Sequence, residues 1–185
     1  MYTLVFLCPL FISNFLCYFQ WSSTEEVKEA FKDGYRTMNP CPVFERNSKT
    51  LFLFFICIEG KTPENQLKPG QSCLCYVTST DHGVTWSDLT DLTSTVNFTN
   101  YQTFAVGPGH GIQLSSGTLL VPAYVKVGSG KSVKPHVVVL RREDLHTKDE
   151  RDNWKASQLI AVECQLSEVS DGKGVSERSQ HRSHG

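Results

Sequence analysis

The sequence predicts an all-β protein, and three observations support this prediction. Residues 51–58 are a continuous apolar run between polar flanks, which is typical of a strand buried on both faces. Further short runs follow along the chain, at residues 74–80, 118–124, 135–140 and 159–169. Turn signals containing glycine, such as Lys68-Pro-Gly and Gly107-Pro-Gly, separate these runs. Regularly spaced short strands are typical of a sandwich, a barrel or a propeller.

Each run predicts one strand, except that residues 159–169 are long enough for one or two. Residues 24–32 differ from the rest because their pattern is helical, with Thr24 as a candidate N-cap. In a β context the same segment could equally be a strand with charged flanks. The chain is 39% hydrophobic and 20% charged, as in an ordinary globular protein. The formal net charge of −1 provides no basic excess for nucleic acid or an anionic membrane.

The seven cysteines show no Cys-x-x-Cys spacing, although Cys73 and Cys75 would share one face of a strand. We interpret the cysteines as free thiols in a reducing compartment, buried as small hydrophobic groups. His181 and His184 stand alone in a polar tail, which is too little to predict a metal site. We therefore predict no metal and no cofactor.

The two ends of the chain differ in composition from its middle. Residues 1–20 are mostly apolar, and three interpretations stay open: a membrane anchor, a signal-peptide core, or a segment outside the native fold. Residues 170–185 contain one large apolar residue, and we expect them to be disordered. The predicted folded domain is therefore residues 21–169.

One motif narrows the choice of fold. Residues 79–86 fit the pattern Ser-x-Asp-x-Gly-x-Thr-Trp, carried by Ser79, Asp81, Gly83, Thr85 and Trp86. The aspartate can accept hydrogen bonds from turn N–H groups, and the glycine supplies a positive φ. The tryptophan would then pack into the sheet. This pattern resembles the Asp-box of sialidases, in which it lies away from the active site, so we expect a structural role.

Several further blocks resemble the animal cytosolic and membrane-associated sialidases, and they occur in family order. The blocks are residues 36–44, 50–56, 77–83, 103–111, 120–124 and 163–165. The resemblance implies a six-bladed β-propeller. At about 40–50 residues per blade, this chain would supply roughly three to four blades as a partial propeller.

The resemblance also implies site residues. Such enzymes retain configuration and use a tyrosine nucleophile with a glutamate as its base, an aspartate as acid/base and three arginines for the substrate carboxylate. Glu163 matches the catalytic glutamate, and Tyr124 matches a tyrosine beside the glycerol arm of the sugar. Glu64, Met38 and Asn39 match other substrate-binding residues. Without the resemblance, Glu163 could be a solvated strand residue, Tyr124 a half-buried sheet aromatic and Asn39 a turn former.

The chain departs from the family pattern at several places. Lys126 stands where the family has a second pocket tyrosine, and residues 142–154 keep only the tryptophan of a second Asp-box. No residue matches the arginine triad, the aspartate acid/base or the tyrosine nucleophile. We therefore expect this chain to be an incomplete copy that is inactive alone.

The implied function is exo-α-sialidase, a retaining glycoside hydrolase that acts on gangliosides, oligosaccharides and glycoproteins and contributes to ganglioside catabolism and lipid metabolism. The implied partners are sialylated glycolipids and glycoproteins, and the implied location is cytoplasmic or membrane-associated. An alternative is a non-catalytic Asp-box propeller fragment that binds glycans or proteins. A secreted or membrane-anchored β-protein, with a glycosylation sequon at Asn97, is a third interpretation.

Overall fold

The computed structural model describes residues 3–4, 7–8, 20–21, 24–63, 66–98, 101, 103–107, 109–127, 134–143, 154–159, 166–168 and 175–177. In these residues the regular elements are β-strands and one 3-10 turn at Lys28–Ala30. The strands are β1 Thr3–Leu4, β2 Leu7–Cys8, β3 Gln20–Trp21, β4 Glu25–Glu26, β5 Tyr35–Glu45, β6 Thr50–Glu59, β7 Ser72–Ser79, β8 Thr90–Asp91, β9 Thr103–Val106, β10 Ile112–Gln113, β11 Leu119–Val127, β12 Lys134–Arg142, β13 Trp154–Leu159, β14 Leu166–Glu168 and β15 Val175–Glu177. The all-β prediction is confirmed.

The first sheet has the order β5-β6-β7-β8, with every pair antiparallel. β6 is the predicted apolar strand, and it is buried on both faces because other parts of the chain cover each side of the sheet. β5 was not predicted, because it contains Pro40 and Pro42, which lack the N–H that a central strand needs. The structure places β5 at the sheet edge, where proline is tolerated.

The second sheet is built around β11, which pairs with β12 on one side. On its other side it pairs with both β9 and β10, which together form one interrupted edge strand. β13 completes the order on the far side of β12. The predicted strands at 118–124 and 135–140 correspond to β11 and β12, and the run at 159–169 begins where β13 ends and contains β14.

The main hydrophobic core lies between the two sheets. It includes Phe52 and Phe54 from β6, Val121 from β11 and Trp154 from β13. The edge strands meet closely, since the N–H of Gly111 donates to Pro42 O at 2.8 Å. A side chain at Gly111 would place its Cβ 2.7 Å from Leu120 O, so this contact requires glycine.

The opposite face of the first sheet carries a second cluster, made of Leu53, Phe55, Cys57, Cys75 and Val77. Residues 24–35 pack against it as a short strand, β4, followed by the 3-10 turn. For residues 24–32 we expected either a helix or a single strand. The structure has neither, but a two-residue strand followed by a 3-10 turn. The residue that precedes the turn is Val27, which provides no side-chain cap, so the expected Thr24 cap is absent.

Near the ends of the chain the described residues form short two-stranded pairs. β1 pairs with β4 and β2 with β3, while β14 pairs with β15. β15 lies within the segment for which we expected disorder. No helix among the described residues has both the length and the apolar character needed to cross a membrane.

Candidate functional site

The Asp-box forms the turn between β7 and β8. Ser79 Oγ donates to Asp81 Oδ1 at 2.8 Å and accepts from the N–H of Gly83 at 2.8 Å. Asp81 also accepts from the N–H of Thr85 at 2.9 Å and from its hydroxyl at 2.6 Å. Gly83 has a φ of +88°, which favours glycine. The box residues therefore bind one another and hold the turn closed.

Hydrogen bonds within this turn stabilise the ionised form of Asp81. The hydrogen bonds from the Thr85 hydroxyl and N–H, followed by that from Ser79, lower the pKa of Asp81 to about 2. Trp86 follows the turn, is half-buried and packs against the second cluster through its apolar neighbours. A carboxylate that already accepts this many internal hydrogen bonds is suited to a structural role, as the sequence suggested.

The predicted substrate-binding residues Met38 and Tyr124 lie at the other end of the sheets. Met38 is near the start of β5, whereas the β5–β6 turn and the Asp-box follow the far ends of β5 and β7. Tyr124 is in the C-terminal half of β11 and pairs with Ala105 of β9. Both Met38 and Tyr124 are half-buried and pack against the core between the sheets. The fold therefore attaches both residues to one hydrophobic core.

Asn39 lies in a β-bulge between Met38 and Cys41. β5 advances three residues there while β6 advances two, from Ile56 to Phe54. Asn39 has a φ of +56°, a left-handed conformation that asparagine tolerates better than most residues. A bulge bends the strand and redirects side chains, and bulges are frequent beside active sites. The turn-forming role considered for Asn39 therefore takes the form of a bulge inside a strand.

The edge strand of the second sheet is interrupted as well. From Val106 to Ile112 the chain advances six residues, while β11 advances three, from Ala123 to Leu120. His110 lies in this interruption, is exposed, and places Nδ1 2.9 Å from Gly111 O. Both edge strands thus depart from regular pairing, and the hydrogen bond between Gly111 and Pro42 joins them beside these departures.

Lys126 shares a strand face with Tyr124, two residues away, and lies opposite Thr103 of β9. Thr103 is 1% exposed, and its hydroxyl has no hydrogen-bond partner among the described residues. Sequence reasoning did not identify Thr103, because a single threonine outside the predicted strands carries no distinguishing signal. Glu64 and Glu163, the other two predicted site residues, lie outside the described residues.

The most enclosed carboxylate that the structure describes is Glu45, at the end of β5. It accepts hydrogen bonds from the N–H groups of Asn47 and Ser48 at 2.8 and 2.6 Å, from the Ser48 hydroxyl, and from Gln113 Nε2 at 2.8 Å. Burial opposes ionisation, but the bonds from Ser48, Asn47 and Gln113 lower the pKa of Glu45 to about 2. Glu45 therefore joins the two sheets as an ionised hydrogen-bond acceptor.

In the described part of the chain, no group of three or more His, Cys, Asp or Glu side chains is arranged to bind a metal ion. Cys41, Cys57 and Cys75 are buried and Cys73 is half-buried, and among the described residues none of these four forms a disulfide.

The chain is similar in sequence to a known domain family and to characterised proteins. Residues 18–183 match the BNR repeat-like domain family. The chain is 40% identical to Sialidase-3 of Rattus norvegicus over 169 residues, which are 83% of the chain and 39% of the relative. It is 42% identical to Sialidase-2 of Mus musculus over 164 residues, 83% of the chain and 42% of the relative. The chain thus spans about two fifths of the length of these curated relatives.

Solved structures agree in fold. The Hadza microbial sialidase Hz136 superposes with a TM-score of 0.67 at 20% identity, over 83% of this chain and 32% of that one. The leech intramolecular trans-sialidase superposes with a TM-score of 0.57 at 16% identity, over 89% of this chain and 39% of that one. The predicted partial propeller is confirmed, and the two sheets described above are two of its blades.

Proposed function

The chain belongs to the BNR repeat-like domain family and is a member of the animal sialidases, and on this premise we propose that it is part of an exo-α-sialidase. The reaction would be hydrolysis of a terminal sialic acid with retention of configuration. The observation that carries the proposal is the 40% identity with Sialidase-3 over 83% of the chain. The hydrogen-bonded Asp-box turn at residues 79–86 supports it.

We assign Glu163 as the base that activates a tyrosine nucleophile elsewhere in the propeller. A tyrosine needs such a base because its unperturbed pKa is about 10. Met38, Asn39, Glu64 and Tyr124 would line the sugar pocket. The support for this assignment is that Met38 and Tyr124 pack on one core, at the end of the sheets away from the Asp-box.

The substrates that we propose are gangliosides, other sialylated glycolipids and glycoproteins. Their shared feature is a terminal sugar with a carboxylate that is ionised at neutral pH. The protein would act in the cytoplasm or at a membrane surface, where such glycolipids are found, and would contribute to ganglioside breakdown.

We further propose that the 185-residue polypeptide does not hydrolyse sialosides by itself. No residue in it matches the arginine triad, the aspartate acid/base or the tyrosine nucleophile. A substrate carboxylate would then lack the guanidinium groups that compensate its desolvation. Activity would require the remaining blades, and the relatives extend well beyond the part that this chain matches.

The test is release of a fluorophore from a sialic acid glycoside. It would be run on the polypeptide alone and on a chimera in which Sialidase-2 of Mus musculus supplies the remaining blades. We expect turnover only from the chimera, provided that circular dichroism shows it to be folded. A folded chimera without turnover, or turnover by the polypeptide alone, would contradict the proposal.

The role of Glu163 is tested in the same chimera. Glu163→Gln removes the base while keeping the side-chain shape, so we expect a loss of turnover of about 10²–10⁴-fold. Glu143→Gln is the matched control, because Glu143 is exposed at the end of β12 and forms a surface ion pair with Arg141. Equal turnover in the two variants would exclude Glu163 as the base.

A second candidate function is glycan or protein binding without catalysis. Lys126, in place of the second pocket tyrosine, favours it, because the substitution changes the shape and charge of the pocket wall. A folded chimera that binds a sialoside in a titration but never releases the fluorophore would support this alternative.

A further inference from the structure

The outer face of the first blade, which points away from the main core, is covered over only part of its length. Residues 24–35 pack against the second cluster, whose five members are each at most 3% exposed. At the end of the sheet that carries the β5–β6 turn and the Asp-box, Phe44 is 42% exposed and Leu51 is half-buried. In the described part of the chain, this end of the face is therefore open to solvent.

Strand register places Phe44 and Leu51 side by side on this face. Phe44 of β5 is directly opposite Leu51 of β6, and Leu51 is directly opposite Ser79 of β7. Side chains alternate between the two faces of a sheet, and the neighbouring Val43 and Phe52 point into the main core. Phe44 and Leu51 therefore point outward.

The chain that follows the Asp-box extends this apolar surface beyond β7. The N–H of Ser87 donates to Thr78 O at 2.8 Å, and the Ser87 hydroxyl accepts from the N–H of Thr78 at 2.9 Å, so the chain runs beside β7 there. Trp86 is half-buried against the second cluster, and Val84 of the turn is 76% exposed. From β5 to this segment there are three strand spacings, about 14 Å in all. We call this surface the end patch: Phe44, Leu51, Val84 and Trp86.

Opposite charges flank the end patch on its two sides. Lys49 is exposed in the turn between β5 and β6, whereas Asp88 is exposed two residues beyond Trp86, on the far side of β7. The order across the face is therefore a cation, apolar side chains and an anion. A half-turn about an axis perpendicular to the face exchanges the two sides, so a surface with this order is complementary to a second copy of itself.

We propose that this chain forms a two-fold dimer through the end patch, with a second copy of the same chain as the occupant. Phe44 and Leu51 of each copy lie against Trp86 and Val84 of the other, and Lys49 of each copy pairs with Asp88 of the other. Removal of the apolar side chains from water drives the association, and the two ion pairs fix its orientation. The dimer does not depend on sialidase activity.

In a complete propeller the same face would contact a preceding blade, because each blade packs against its neighbours around the ring. A second copy and a preceding blade therefore exclude each other on the end patch. The chimera in which Sialidase-2 of Mus musculus supplies the remaining blades is thus a control for the dimer, and its mass can be measured whether or not it hydrolyses sialosides.

The experiment is sedimentation velocity of the full chain over a wide range of concentration. We expect the mass to rise from that of one 20.8 kDa chain toward twice that value, while the folded chimera stays a monomer. A chain that is monomeric at every concentration would overturn the proposal, since the patch would then be covered within one copy or stay exposed. An oligomer larger than a dimer, or a folded chimera that dimerises as tightly as the chain, would also overturn it.

Single substitutions locate the interface. Phe44→Asp and Val84→Asp should each raise the dissociation constant of the dimer about tenfold or more, because each places a charge in its apolar centre. Phe31→Asp is the matched control, since Phe31 is 65% exposed but lies on the segment that covers the other half of the face, and it should leave the constant unchanged. Circular dichroism verifies folding, and the high exposure of Val84 makes its variant the safer of the two. An unchanged constant in folded Val84→Asp would exclude the end patch.

A charge exchange tests the two-fold orientation. Lys49→Glu or Asp88→Lys alone places like charges opposite each other and should weaken the dimer several-fold. The double variant restores opposite charges, so we expect it to recover most of the lost affinity. A double variant whose affinity is lowered by the combined effect of the two single substitutions would overturn the pairing of Lys49 with Asp88.

Discussion

Each blade carries a tryptophan near its fourth strand, Trp86 between β7 and β8 and Trp154 at the start of β13, but the surroundings of the two differ. In the first blade, Trp86 follows an Asp-box whose side chains bind one another, and it is half-buried. In the second blade, residues 142–154 lack the Asp-box pattern, yet Trp154 is 1% exposed. The tryptophan and the hydrogen-bonded turn are therefore separable parts of the motif.

The difference in burial follows from position in the molecule. Trp154 lies between the two blades, with its ring 5.0 Å from that of Phe54 and 6.3 Å from that of Phe52. Trp86 lies on the outer face of the first blade, which residues 24–35 cover in the described part of the chain. Trp154 thus stabilises the contact of its blade with the preceding one.

The largest expected effect is from Trp154→Ala. Truncating a fully buried tryptophan leaves a large cavity between the blades, so we expect a loss of about 3–5 kcal/mol in the free energy of unfolding. Urea denaturation of the full chain measures it. Trp154→Phe is the control, because it keeps an aromatic ring against Phe54, and its loss should be smaller. A loss below that of Trp86→Ala would contradict the comparison.

Trp86→Ala should cost less, about 2 kcal/mol, because a half-buried ring removes less apolar area from water. The same denaturation experiment measures this change. If the preceding blade were supplied, as in a chimera with a relative, the cost should rise toward that of Trp154→Ala. An unchanged cost in a folded chimera would show that the outer face is not the place of another blade.

Glu45→Gln tests the polar link between the blades, and we expect a loss of about 1.5 kcal/mol because charged acceptors make the stronger hydrogen bonds. Its pKa of about 2 lies below the value of about 4.3 for an unfolded glutamate. The contribution is therefore fully present above pH 4.3 and is lost as the pH falls toward 2. Denaturation at several pH values should show a smaller acid loss for Glu45→Gln than for the unchanged chain.

Asp81→Asn should have the smallest effect on global stability, because Asp81 lies in an exposed turn. It keeps the size of the side chain but removes the charge that binds the Thr85 hydroxyl and N–H. We expect faster hydrogen exchange at the Thr85 amide, measured by NMR, with little change in the melting temperature. Asp88→Asn is the control, two residues beyond Trp86. A melting temperature lowered as far as in Trp86→Ala would show that turn and tryptophan are not separable.

Local patterns in the sequence determined the fold class, the strands β6, β7, β11 and β12, and the Asp-box turn. The reason is that an apolar run, a glycine with positive φ and an aspartate beside free N–H groups act over a few residues. The family resemblance added Met38, Asn39, Glu64, Tyr124 and Glu163, whose proposed roles no periodicity could supply. Of these, Met38 and Tyr124 pack on the same core, although they are far apart in sequence.

Other features depended on which segments meet in space. The prolines in β5 argue against a strand when the sequence is considered alone. They are tolerated because β5 lies at the edge of the sheet. The contact of Gly111 with Pro42, the opposition of Cys57 and Cys73, and the position of Tyr124 beside Ala105 all arise from strand register. Register is set by pairing between distant segments, and a shift of one residue would turn each side chain to the other face. The sequence alone therefore identified the central strands β6, β7, β11 and β12, whereas the tertiary structure decided which other segments pair with them and which side chains face one another.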